Sequence, residues 1–244
     1  MSRLAPLLLI TLLATVGCRE SVLNRSVLAL TGADYVDARA LDLRRLLPDA
    51  PANDSAVTTA DLAELLRLQN TRTTEDCEYA GADAVAKPER FAAALGLPAD
   101  WTIASTPAVS TLLARVRVVE GLAIRSAKQS YARPRPYRLD SRITPCIDLP
   151  GSESYPSGHS AWAVVTALVL ANLVPERRAQ LLDRADEIAQ HRAVGGVHYP
   201  SDIAAGKTAG VALAALLFAS PAFQADEIAA RQELRSALGL SATH

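Results

Sequence analysis

Three short segments of this 244-residue chain combine residue types suited to a charged, oxygen-rich ligand. One is Arg192-x5-His198-x3-Asp202. Residues four apart share a face on a helical turn, so Asp202 can bond one imidazole nitrogen of His198. Such a bond fixes the tautomer and makes the other nitrogen more basic, which suits a nucleophile or a base. The same pairing also occurs simply to satisfy a core histidine. Gly195-Gly196 lies between Arg192 and His198, where it would let backbone come close to a ligand. A second segment is Pro156-Ser157-Gly158-His159. Ser157 reads as a helix N-cap, and the first amides of a helix point outward at the positive end of its dipole. A capped helix needs nothing more than this, but an anion would also be held there. The third is a basic run of Arg125, Lys128, Arg133, Arg135, Arg138 and Arg142, opposed only by Asp140. Basic runs are usually solvated faces. Two prolines bend this one and fix its shape, and guanidinium forks match phosphate oxygens.

These segments need elements to position them, and the pattern is helical throughout. Asp49 to Ser55 reads as a turn-rich linker. Leucines at 62, 65, 66 and 68 predict a helix over Thr59–Thr73 with Thr59 as N-cap. Pro88–Leu95 reads as a short helix, and Val109–Tyr131 as a long amphipathic one that Pro134 must stop. A loop to Pro156 follows. Helices are then predicted over Gly158–Leu173, Glu176–Ala193, Pro200 to about Phe218, and from Pro221 onward. No strand signal appears, so the expected fold is an all-α single-domain helical bundle. The two most apolar stretches are read as core helices. Ala161–Val174 is too short to span a bilayer and Ile203–Ser220 contains Lys207.

Half of the residues are hydrophobic and 21% are charged, as in a globular protein. With 25 basic and 26 acidic residues there is no overall field to recruit nucleic acid. Residues 1–18 read as a secretory signal: Arg3, the apolar run Leu7–Ala14, then small residues. Gly17-Cys18 is similar to a lipoprotein cleavage box, so a lipidated Cys18 tethering the chain to a membrane stands beside a plain signal. Residues 19–244 form the expected single mature domain. Export implies an oxidising compartment, where Cys77 and Cys146 either pair or remain two buried thiols.

The three segments, in this order, resemble the signature of the type-2 phosphatidic acid phosphatase superfamily: Lys-x6-Arg-Pro, Pro-Ser-Gly-His and Ser-Arg-x5-His-x3-Asp. The chain has Lys128-x6-Arg135-Pro136, Pro156 to His159, and His191-Arg192-x5-His198-x3-Asp202. Within the superfamily it looks like the secreted bacterial class A non-specific acid phosphatases, from about Asp34 to Phe223. Tyr155 and the stretch around Leu66-x3-Asn70-Thr71 also resemble that group. Three positions depart: His191 replaces the motif serine, Glu153 interrupts the stretch before Pro156, and Ser160 replaces threonine.

The resemblance implies hydrolysis of phosphate monoesters. Lys128, Arg135, Ser157, Gly158 and Arg192 would hold phosphate, together with the amide of His159. His198 would attack phosphorus, Asp202 would orient it, and His159 would protonate the leaving oxygen. It implies no metal, no cofactor, a periplasmic or secreted location, and a homo-oligomer. The loop Arg138–Ser154 is expected to set substrate range. A vanadate-dependent haloperoxidase shares the anion pocket, but such chains are usually longer. A membrane lipid phosphatase needs several spanning helices. A non-catalytic phosphate-binding lipoprotein would explain His191 as decay, but would not need both His159 and His198. A zinc site on His159, His191 and His198 lacks the i, i+4 spacing that suits a helix.

Overall fold

In the computed structural model, residues 35–36 and 41–241 are described, and every regular element among them is helical. The signal and the Gly17-Cys18 box lie outside the described residues. Helix α1 spans Ala56–Thr71 and α2 spans Thr74–Asp83. A 3-10 turn, Pro88–Phe91, leads into the one-turn α3, Ala92–Leu95. Helix α4, Pro107–Tyr131, is the longest, and the one-turn α5, Pro136–Leu139, follows it. Then come α6 (Gly158–Leu173), α7 (Arg178–Val194), α8 (Pro200–Phe218) and α9 (Pro221–Ala237).

The boundaries follow local chemistry. Ser157 caps α6 by accepting the Ser160 amide at 3.3 Å. Ser55, not the expected Thr59, caps α1: its hydroxyl accepts the Thr58 amide at 3.2 Å, while Thr59 turns back to the Ser55 carbonyl. Helix α2 falls where no helix was expected. Thr73 and Asp76 form a reciprocal capping box there, which satisfies two of the free donors at that end. Helix α4 stops at Ala132, whose φ of 49° is left-handed, immediately before Arg133-Pro134.

Helix α6 is the centre of the molecule. Ala161, Ala163, Val165, Ala167, Val169 and Leu173 are fully buried on it. A helix apolar on every side has to be surrounded, and α4, α7, α8 and α9 all pack against it. Helix α8 comes closest. A Cβ at Gly206 would sit 2.3 Å from the Ser157 carbonyl oxygen, and one at Gly210 would sit 2.7 Å from that of Ala161. Two glycines one turn apart therefore let the two helix backbones touch. Helix α8 is long and apolar enough to cross a membrane, but half of its apolar window is buried in this packing.

Cys77 on α2 and Cys146, beyond α5, form a disulfide with Cα atoms 5.8 Å apart. Of the two states open from sequence, the bonded one is found. The bond fastens the 140–147 segment. Arg72 donates to the carbonyls of Thr144 and Val194 at 2.6 and 2.7 Å, and Gln69 bonds the backbone of Arg142 and Thr144.

Candidate active site

His198 and Asp202 meet, but not as two residues on one helical face. His198 precedes α8, and Asp202 is the third residue of that helix. The Asp202 carboxylate turns back to accept the Tyr199 amide at 3.1 Å, closing the helix start. The same oxygen accepts His198 Nδ1–H at 3.1 Å and the Ser154 hydroxyl. Arg133 donates to the other oxygen at 2.7 Å. A carboxylate cannot donate, so the proton of His198 is on Nδ1 and the Nε2 lone pair is free to act. Arg135 Nη1 donates to Nε2 at 2.8 Å. Burial, with the charges of Arg135, Lys128 and Arg192, holds His198 well below the ordinary histidine range, so it is neutral. Burial also pushes the Asp202 carboxyl up, against Arg133 and the Ser154 hydroxyl, which favour its charged form.

Lys128, Arg135, Gly158, His159 and His198 line one cavity of about 510 Å³. Ser157, Arg192 and Asp202 do not line it, and each is nearly inaccessible. Lys128 Nζ donates to the carbonyls of Glu153 and Ser154, and Arg135 Nε to that of Ser152 at 2.9 Å. The cations thus hold the 152–154 loop over the cavity. Burial and the charge of Arg135 push Lys128 down to about 7. Arg192 Nε and Nη1 are buried with no partner. Burial and Arg135 lower its guanidinium to about 10, still charged at neutral pH. A buried guanidinium with two unused donors is a costly arrangement that an anion relieves.

His159 donates from Nε2 to the Ala84 carbonyl at 2.8 Å, which leaves Nδ1 as the ring nitrogen with a lone pair. Burial and Arg192 push it down to about 3, so in the unliganded site it is neutral. Ser157 accepts from the Ser160 hydroxyl at 2.9 Å, so serine at 160 supplies the hydroxyl that the motif's threonine would.

Two expectations are corrected, and the disfavoured zinc site is not formed among the described residues. Gly195-Gly196 serves the protein rather than a ligand: Cβ atoms there would meet Ile147 at 2.5 Å and Pro145 at 3.2 Å. The basic run divides. Lys128, Arg135 and Arg125 line the cavity. Arg133 is the buried partner of Asp202, and Arg138 and Arg142 face outward, Arg142 onto Asp140. His191 does not join His159 and His198. Its Nδ1 donates to Asp83 at 2.6 Å, where Arg184 also binds. Among the described residues no group of three or more His, Cys, Asp or Glu side chains is placed to hold a metal.

The structure adds residues that the sequence reading missed. Arg133, Ser154 and Asp61 brace Asp202: Asp61 takes the Ser201 amide at 3.2 Å and lies 3.4 Å from Arg133. The Arg133 guanidinium also stacks 3.8 Å over the Tyr199 ring. The face of α4 carrying Arg117, Glu120, Gly121 and Gln129 forms a cavity wall, whereas only residues 150–153 of the expected specificity loop do so.

A helical bundle that gathers a neutral histidine, its buried carboxylate and three cations beside a helix N-terminus defines a class of oxyanion-handling proteins. The PAP2 superfamily model matches residues 102–225, and the chain belongs to that superfamily. It is 33% identical to a non-specific acid phosphatase of Providencia stuartii over 198 residues, 77% of this chain and 79% of that one. It is 32% identical to a protein of the same name from Salmonella typhimurium, over 77% and 78% of the two chains. Among solved structures it resembles a bacterial vanadium-dependent iodoperoxidase, with a TM-score of 0.58 and 21% identity, covering 74% of this chain and 54% of that one. It also resembles a transmembrane PAP2-type phosphatidylglycerolphosphate phosphatase from Bacillus subtilis, with a TM-score of 0.53 and 20% identity, covering 68% and 86%. At those identities the structural likeness speaks for the fold.

Proposed function

We propose that the chain hydrolyses phosphate monoesters through a phosphohistidine on His198, without a metal. That it is a phosphatase of the PAP2 superfamily follows from the family match and from relatives named acid phosphatases. The proposal concerns the route. The observation that carries it is the state of His198: neutral, with Nδ1–H on Asp202 and Nε2 among cations.

Substrate phosphate displaces Arg135 from Nε2 and takes donors from Lys128, Arg135, Arg192, Ser157 and the first amides of α6. His198 Nε2 attacks phosphorus, and the bond from phosphorus to the ester oxygen breaks. His159, protonated in the field of the bound anion, gives its Nδ1 proton to the leaving oxygen. Asp202 stabilises the imidazolium that forms on His198. Neutral His159 then takes a proton from water, which attacks phosphorus as the bond to His198 Nε2 breaks, releasing inorganic phosphate and neutral His198. The chain's own cations match the charge that develops on the phosphoryl oxygens. Export by the 1–18 segment, with a plain signal and a tether at Cys18 as the two alternatives, and assembly as a homo-oligomer complete the reading.

The test is p-nitrophenyl phosphate hydrolysis by the purified mature chain with a chelator present, beside His198→Ala. Chelator-resistant turnover that drops at least about a thousandfold in the variant supports the route. Turnover abolished by chelator, or retained in the variant, overturns it. No turnover at mildly acidic to neutral pH favours the binding protein instead.

A further inference from the structure

The α4 wall of the cavity holds a carboxyl group that phosphate binding does not need. Glu120 is 1% exposed and lines the cavity. One oxygen, Oε2, takes Arg117 Nη1–H. No described residue donates to the other, Oε1. That atom lies 3.9 Å from where a Cβ on Gly158 would stand, so it borders the helix N-terminus that receives phosphate. When ionised, a carboxylate here opposes a phosphate anion, which leaves the other half of the substrate as its partner.

Two further features agree. Gly121, next to Glu120, also lines the cavity, and a Cβ there would meet nothing within 4 Å. Glycine inside a helix costs up to about 1 kcal/mol relative to alanine. No packing demands it here, and its effect is to keep this part of the cavity free of a side chain. The wall also carries the cations Arg117, Arg125 and Lys128, beside Ile124 and Gln129. That field disfavours an ammonium group on the substrate and permits a neutral donor.

Resting on the phosphatase reading, we propose that Glu120 and Arg117 form a leaving-group subsite selective for polyol phosphates. Glu120 Oε1 accepts from a hydroxyl near the ester carbon, and Arg117 donates to a second hydroxyl oxygen. Glu120 is thereby a specificity-determining residue outside the three signature segments.

The experiment compares two esters of equal chain length, glycerol 3-phosphate and n-propyl phosphate, by kcat/KM at one fixed pH. The wild type is expected to favour the glycerol ester about tenfold, the effect of one hydrogen bond to an ionisable group. Glu120→Gln should narrow that ratio, and Glu120→Leu should remove it, chiefly through KM for the glycerol ester. The propyl ester reports folding and chemistry in each variant, and the isosteric glutamine guards against misfolding of the leucine form. A wild-type ratio near one, or a ratio unchanged in both variants, overturns the subsite while the phosphatase reading stands. A stronger preference for 3-aminopropyl phosphate overturns the hydroxyl assignment. Failure to hydrolyse any ester overturns the phosphatase reading and the subsite with it.

Discussion

At the residue scale, the site trades charge against burial. Lys128 ordinarily stays charged to about 10.5, but here burial and Arg135 bring it down to about 7. Glu120, on the same wall, is pushed up to about 7 by burial, against the pull of Arg117. As pH rises through 7, the first loses a positive charge and the second gains a negative one. Both changes weaken anion binding on the alkaline side. Sulfate isolates the effect because its charge is constant near neutrality. Its competitive inhibition constant should rise with pH above 7, by up to about tenfold per unit if charged Lys128 is required. Lys128→Arg keeps its charge and should flatten that rise. Parallel slopes for the two proteins would refute the role of Lys128. The signature residues were legible because their types carry the chemistry. Arg133 was not: in sequence it is one more cation in a run, and only the fold turns it away from the ligand and onto Asp202.

At the element scale, prolines, caps and apolar periodicity made most helices readable, and Gly158–Leu173 and Pro200–Phe218 match their predicted spans. Helix α2 was missed because its apolar face is weak. Its evidence was the Thr73–Asp76 box and nothing more. Nor does any local rule say that α6 and α8 touch through glycines. That contact places the N-terminus of α6 against the start of α8, because the Ser157 amide bonds the Asp202 carbonyl at 3.0 Å where the helices meet. Gly206→Ala puts a methyl 2.3 Å from the Ser157 carbonyl oxygen, so the start of α6 must shift. Overpacking of this kind costs about 1–3 kcal/mol. Gly210→Ala makes a similar collision one turn further from the site. Both should lower the melting temperature, and Gly206→Ala should lower kcat/KM by a further tenfold or so, since small displacements of positioning groups are costly. Equal kinetics in the two variants would show that the crossing stabilises the fold without aligning the site.

At the scale of the whole molecule, the least legible feature is how a distant segment supports His198. The disulfide joins residues 69 apart in sequence and fixes the strand of chain that carries Ile143, Pro145 and Ile147. Those side chains fill the space left open by Gly195-Gly196, and the Cys146 amide donates to the Gly195 carbonyl at 3.3 Å. His198 follows three residues later, so the bond braces the turn that carries His198. Cysteine spacing alone left pairing and free thiols equally open, since distance in space is not written in it. Loop-closure entropy for a loop of this length is worth about 4 kcal/mol in the chain-entropy model. Paired Cys77→Ala and Cys146→Ala substitutions, or reduction, should therefore lower the melting temperature by many degrees. They should also lower kcat while leaving the residual activity dependent on His198. An unchanged melting temperature after reduction would mean that packing of Ile147 on Gly195, with Arg72 and Gln69, already holds the segment. A lower melting temperature with unchanged kcat would mean that the bond stabilises the fold but does not position His198.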